Sequence, residues 1–268
     1  MVDYEQSRFE EIVADYTAFA SQLGLRDVHC IPLSALNGDM VVERGDNLDW
    51  YEGPALLELL ETVAIDHDVN TSDFRFPVQW VCRPQTDEHH DFRGFAGRIE
   101  AGQISVGDEI TIQPSGRATR IKEIVTYDGK LQTAFAPQSV MLTLADEIDI
   151  SRGDMFVKND ARAPRVEKEF EATLCWLSET PLDRNRKYIV KHTTRMAKCL
   201  FSRLEFRVDV NTLERHDTDR LNMNDIARVA LKTQQPLVFD RYADDRATGS
   251  FIVIDEASNN TVAAGMIG

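Results

Sequence analysis

The sequence predicts a mainly β chain with a short α/β segment at its N-terminus, and three observations carry that prediction. Apolar residues recur at helical spacing only in the first quarter of the chain. From Phe76 onward, short β-rich runs alternate with turn signals instead. A polar, charged stretch from Asp66 to Ser72 separates the two patterns and reads as a linker.

Phe9, Ile12, Val13, Tyr16, Phe19, Ala20 and Leu23 form one helical stripe, and Gly24 stands where a helix would stop. Val28 to Leu33 is a short apolar run of the kind buried on both faces of a parallel sheet, so a strand is expected there. It runs into the polar turn Ser34 to Gly38. Gly53 and Pro54 open a second helix, with Pro54 expected at the first helical position and Leu56, Leu59, Leu60 and Val63 on one face. Helix, strand and helix together read as the end of an α/β unit.

Beyond the linker, strands are expected at Phe76 to Cys82, Gly97 to Glu100, Glu109 to Gln113, Arg120 to Tyr127, Ser139 to Leu144 and Met155 to Lys158. That rhythm predicts a small antiparallel barrel. One turn pattern occurs twice, Ile104 to Asp108 and Ile150 to Asp154, with glycine free to take a positive φ and Asp placed to bond the turn backbone. After a junction at Asn159 to Pro164, further strands are expected at Phe170 to Leu177, Lys187 to His192, Leu200 to Asp209, Asp225 to Leu231, Leu237 to Asp240, Phe251 to Asp255 and Thr261 to Met266. The expected division is residues 1–68, 69–162 and 163–268.

Charge narrows the function classes. The 268 residues hold 45 Asp plus Glu against 30 Lys plus Arg, a formal net charge of -15. Polyanions are repelled by such a surface, so neither nucleic acid nor an anionic membrane is an expected partner. The four cysteines, Cys30, Cys82, Cys175 and Cys199, lie far apart without metal or redox spacing, and core thiols in a reducing compartment are expected. No apolar run has the length of a membrane span and the N-terminus has no signal-peptide pattern, so a cytoplasmic protein is expected.

Chemical motifs are few. Gly102 to Gly107 has the glycines of a phosphate-binding loop, but Asp108 follows, where a carboxylate would repel phosphate; a turn is the better reading. Asp91 to Gly94 has the D-x-x-G form, yet it falls within the β pattern. Asp87, Glu88, His89, His90 and Asp91 crowd potential metal ligands into adjacent positions, which rarely all reach one ion, so a solvated loop is expected. GxSxG, HExxH and CxxC patterns do not occur, and no catalytic residue or metal site is assigned. The segment with chemical content is Cys30 to Leu36, at the carboxyl end of the inferred strand, where α/β sheets bind ligands.

Several blocks, taken in order, resemble a known family. SALNGDMVVERGDN from Ser34 and WYEGPALLELLE from Trp50 resemble the end of the G domain in the GTPase subunit of bacterial sulfate adenylyltransferase, also called ATP sulfurylase. FRGFAGRIEAGQISVGDEI from Phe92 and PSGRATRIKEI from Pro114 resemble its second domain. KHTTR from Lys191, LNMNDIARV from Leu221 and PLVFDRYADDRATGSF from Pro236 resemble its third.

The resemblance implies the end of a P-loop GTPase domain followed by two antiparallel β-barrels of the elongation-factor-Tu type. In that family GTP, with Mg, is bound and hydrolysed to drive adenylyl sulfate formation from ATP and sulfate, in partnership with a separate catalytic subunit. Of the family's nucleotide motifs only Ser34, Ala35 and Leu36 have a counterpart, as the loop that reads the guanine base; the P-loop, switch regions and N-K-x-D do not. The chain is therefore expected to start just after N-K-x-D, to hold no cofactor and hydrolyse no GTP alone, and to be poorly anchored before about Asp68. An elongation-factor-like tRNA-binding GTPase has the same three-domain plan, but Asp244, Asp245 and the overall acidity argue against an RNA-facing surface.

Overall fold

The structure, a computed structural model, describes residues 3–25, 27–64, 70–83 and 92–268. It divides into two compact units, residues 1–67 and 68–268. Among the described residues no helix is long and apolar enough to cross a membrane.

In the first unit the helical stripe forms helix α1, Gln6–Gln22. The Leu23 N–H closes onto the Ala20 carbonyl and Gly24 follows at φ +71°, so the glycine ends the helix as its conformational freedom allows. Phe9 packs on Trp50 and Tyr51, with ring centroids 5.4 and 6.0 Å apart. Helix α2 spans Leu56–Thr62, two residues later than Pro54 was expected to start it. The reason is that the Leu56 and Leu57 N–H groups donate to the carbonyls of Met40 and Val41, which fixes the first turn there, with extended Ala55 as the N-cap. The strand expected at Val28 to Leu33 is absent. A strand exists only as a rung of a ladder, and among the described residues nothing pairs with this run.

The second unit holds two closed barrels. In the first, β1 (Arg75–Cys82), β2 (Gly94–Arg98), β4 (Glu109–Gln113), β5 (Arg117–Thr126), β8 (Ser139–Leu144) and β9 (Met155–Lys158) close in the order β4-β9-β1-β2-β8-β5, all antiparallel, with β4 pairing β5. Period-2 alternation sends Phe76, Val78, Phe95, Ile110, Ile112 and Phe156 inward. The expected run at Gly97 to Glu100 lies a few residues late, because β2 begins at Gly94. Three short strands escaped the sequence pattern: β3 (Gln103–Ser105) pairs β7 (Thr133–Phe135), and β6 (Gly129–Leu131) forms a hairpin with β5.

The second barrel closes β11 (Tyr188–His192), β15 (Ser250–Asp255), β16 (Thr261–Ile267), β10 (Arg165–Trp176), β14 (Ile226–Phe239) and β12 (Arg195–Val208), with β13 (Arg215–His216) added at one edge. Its core centres on Phe170, Trp176, Phe201, Phe239 and Phe251. The two runs expected at Asp225 to Leu231 and Leu237 to Asp240 are one strand, β14. Pro236, which has no N–H to give a ladder, sits where the pairing with β10 jumps from Lys232 to Leu237.

The repeated turn is built as the residues suggest. Gly107 and Gly153 take φ +90° and +94°, and the carboxylates of Asp108 and Asp154 accept the N–H groups of Ser105 and Ser151, each at 2.8 Å.

The barrels meet through Met155 and Val157 on one and Val238 on the other. Arg75 is fully buried, and its Nε and Nη2 donate to the two oxygens of Asp240 at 2.8 and 2.9 Å. Thr248 adds a third hydrogen bond to that carboxylate, at 2.8 Å. Arg195 makes a reciprocal contact, with Nη2 on Asp154 at 2.9 Å and Nε on the Gly153 carbonyl at 3.1 Å. Arg162 adds ion pairs to Asp73 and Asp244 at 3.4 and 3.1 Å. The cysteines are free thiols, but only Cys199 is a core residue, its thiol pushed up to about 12 by burial; Cys30, Cys82 and Cys175 are half-buried.

Candidate functional site

The loop at Ser34 keeps its shape through a small set of hydrogen bonds. The Ser34 N–H donates to the Asp39 carbonyl at 3.0 Å, and the Gly38 N–H donates back to the Ser34 carbonyl at 2.8 Å. Gly38 takes φ +84°, which lets the chain reverse there. The Asn37 N–H approaches Ser34 Oγ at 3.3 Å. The turn is thus closed across its ends, and its middle faces outward: Ala35 is exposed and Leu36 is 89% exposed. Among the described residues neither the Ala35 nor the Leu36 N–H has an acceptor, so the loop offers two adjacent donors to a carbonyl oxygen brought from outside.

Beside this loop lies a cavity of roughly 620 Å³ lined by Tyr4, Phe9, Leu33, Ser34, Leu36 and Trp50 among others. Aromatic and aliphatic walls with a few polar groups are what a planar ligand uses. Underneath, Met40 is fully buried at φ +59°, and its N–H bonds the Glu43 carbonyl at 2.8 Å. Arg44 ties this turn to the segment before α2 through the carbonyls of Tyr51 and Gly53.

The other nominated segments fall differently. Gly102 to Gly107 is strand β3 and its turn, and the Asp108 carboxylate is already engaged by the Ser105 N–H and by Lys158 at 3.1 Å. A side chain at Gly102 would meet the Phe74 backbone at 2.5 Å, which explains that glycine without any ligand. Asp87 to Asp91 lies outside the described residues, and Gly94 merely begins β2. Among the described residues no group of three His, Cys, Asp or Glu could hold a metal ion.

Sequence reasoning did not single out Tyr4, Asp39 or Asn47, which meet beneath the loop. The Tyr4 hydroxyl donates to Asp39 Oδ2 at 2.8 Å and accepts from Asn37 Nδ2 at 2.7 Å. Asn47 Nδ2 donates to both Asp39 oxygens, at 3.2 and 3.1 Å. No spacing rule links a residue to another 35 positions away, so only the fold reveals this group.

The fold is that of translation-factor-type GTPases. Sup35 complexed with GDP superimposes with a TM-score of 0.67 at 20% identity, covering 99% of this chain and 65% of that one. Residues 169–268 match the family described as GTP-eEF1A C-terminal domain-like. Over its full length the chain is 50% identical to sulfate adenylyltransferase subunit 1 of Bacteroides fragilis, covering 55% of that protein. It is 46% identical to the bifunctional enzyme CysN/CysC of Mycobacterium tuberculosis, covering 44% of it. The chain belongs to the sulfate adenylyltransferase subunit 1 family and spans about half the length of the curated relatives it matches.

Proposed function

We propose that this chain serves as the base-contacting edge and the two barrel domains of a GTP-dependent sulfate adenylyltransferase, a cytoplasmic enzyme that makes adenylyl sulfate from ATP and sulfate. The observation that carries this reading is the 46–50% identity along the whole chain to proteins named for that activity. In this reading residues 1–68 close a G domain, and 69–162 and 163–268 are its two barrels. Their task is to pass the nucleotide state to a separate catalytic subunit, which acts on ATP and sulfate.

Ser34, Ala35 and Leu36 would meet the guanine base. The free N–H groups of Ala35 and Leu36 suit the guanine O6 acceptor and would face an amino donor in adenine, which gives base discrimination of the kind a hydrogen-bonding site provides. The base edge of GTP therefore fits the residues present. A triphosphate and its Mg do not, because the described residues supply neither a glycine loop on a helix N-terminus nor a carboxylate cluster for the ion. This chain alone is not expected to turn over GTP.

The test is gel filtration of the purified chain with the catalytic subunit of sulfate adenylyltransferase at micromolar concentration. Co-elution is expected; separate elution would count against the barrels as the coupling element. Nucleotide turnover by the chain alone would contradict the role assigned to Ser34 to Leu36. Tight binding of aminoacyl-tRNA at physiological salt would displace the reading in favour of a translation factor.

A further inference from the structure

The loop that would read the base is not held by a sheet, since Val28 to Leu33 pairs with nothing among the described residues, and something else must fix its shape. Asp39 is 5% exposed and its carboxylate has no cation paired with it among the described residues. A buried carboxylate is costly unless hydrogen bonds replace its water, so the donors around it are constrained to stay. Those donors are Tyr4 and Asn47. The chain also folds tightly over the carboxylate: Gly45, at φ +71°, lies so close that a Cβ there would come within 2.1 Å of Asp39 Oδ1.

The same residue grips the loop from its main chain, because the Asp39 carbonyl accepts the Ser34 N–H. Tyr4 links the two ends of the device, donating its hydroxyl proton to Asp39 while accepting from Asn37 inside the turn. Tyr4 is itself fixed by Trp50, whose Nε1 donates to the Tyr4 carbonyl at 2.9 Å. Closing the turn by these contacts leaves the Ala35 and Leu36 N–H groups without an acceptor among the described residues.

We propose that Asp39 is the positioning residue of the base loop, held by Tyr4 and Asn47, and that it presets the unpaired donors of Ala35 and Leu36 before any nucleotide arrives. The functional meaning rests on the guanine-loop reading above; the mechanical claim does not.

Amide hydrogen exchange on the complete 268-residue chain, without nucleotide or partner, tests it. In Asp39→Ala, protection of the Ser34 and Gly38 amides should fall by about fivefold to tenfold, the scale of one lost hydrogen bond. The Leu59 and Val63 amides of α2 should be unchanged. Asp39→Asn keeps an oxygen for Tyr4 and should recover part of the protection. Tyr4→Phe, which removes one hydroxyl and retains the ring, should loosen the same two amides even if Asp39→Ala fails to fold. Unaltered exchange at Ser34 and Gly38 in Tyr4→Phe would overturn the proposal. So would an equal loss across residues 3–64, since Asp39 would then be a general stabiliser with no special hold on the loop. Because no ligand is present, this outcome is independent of whether the chain co-elutes with a catalytic subunit.

Discussion

The first unit buries Met40, Leu48 and Ala55 as its core, with Tyr4, Ile31, Trp50 and Tyr51 packed around them, whereas each barrel closes on a cluster several times larger. Charge divides as unevenly: residues 1–67 hold Arg8, Arg26 and Arg44 as their only Lys or Arg against fourteen Asp or Glu, so most of the net acidity lies there. Ile12, Tyr16, Leu33 and Leu60 remain exposed in this unit. Little apolar burial and much like charge leave polar contacts such as Tyr4 to Asp39 and Trp50 to Tyr4 to hold its form. The barrels reverse the arrangement. There apolar closure supplies stability, and buried polar contacts set how one barrel sits on the other.

That contrast is open to attack, most strongly at Arg75. Replacing it by Ala strands the Asp240 carboxylate in the interface and should cost about 3–5 kcal/mol in urea denaturation followed by Trp176 fluorescence. A combined Arg75→Met and Asp240→Leu variant should regain most of the loss, as an apolar pair replaces the ionic one. If Arg75→Ala unfolds like the parent protein, buried polar contacts do not govern the interface.

Met40→Ala should cost about 2–5 kcal/mol, confined to the first unit. Amide protection across residues 3–64 should drop while the Trp176 transition stays in place. A shift in both would show that the two units share their stability.

The pH dependence should be smaller and should belong to the second barrel. His192 is fully buried, and burial holds its imidazole below the ordinary value against the opposing effects of the Thr248 carbonyl and Asp240. The unfolded chain then binds the proton more readily than the native one. Stability is intact above the unfolded value of about 6.5 and is lost as pH falls below it, by at most about 1.4 kcal/mol per pH unit. Denaturation midpoints measured from pH 7.5 to 5.5 should show this slope, and His192→Gln should flatten it.

The smallest effect is expected on the outer face of the second barrel, where Arg203 pairs with Glu171 and Glu205 in the open. Arg203→Ala should leave the thermal midpoint within error of the parent, because exposed pairs are screened. A clear drop would mean that surface charge contributes to barrel stability after all.

Much of this fold is legible before any coordinates. Strands β4, β8 and β9 fall where alternation at Ile110 and Ile112, at Val140 and Leu142, and the Met155 to Lys158 run place them. The strands missed, β3, β6, β7 and β13, are two or three residues long, too short for a period to show. The runs Asp225 to Leu231 and Leu237 to Asp240 were expected as separate strands, yet β14 carries Pro236 through an irregular stretch of its pairing with β10. At the candidate site, Ser34, Ala35 and Leu36 were visible as a polar turn after an apolar run, whereas no sequence pattern singled out Asp39.

What the residues decided alone was local: where helix α1 stops at Gly24, where Gly107 and Gly153 reverse the chain, and which side chains alternate inward. Each follows from neighbours a few bonds away, whose sterics and hydrogen bonds need no distant partner. Tertiary structure decided the rest. Val28 to Leu33 has the composition of a strand but makes no ladder, Arg75 finds its carboxylate 165 residues on, and Asp39 becomes a hub only once Tyr4 is folded back to it. Pairing and desolvation are properties of who stands opposite, and that is set only when the chain has closed.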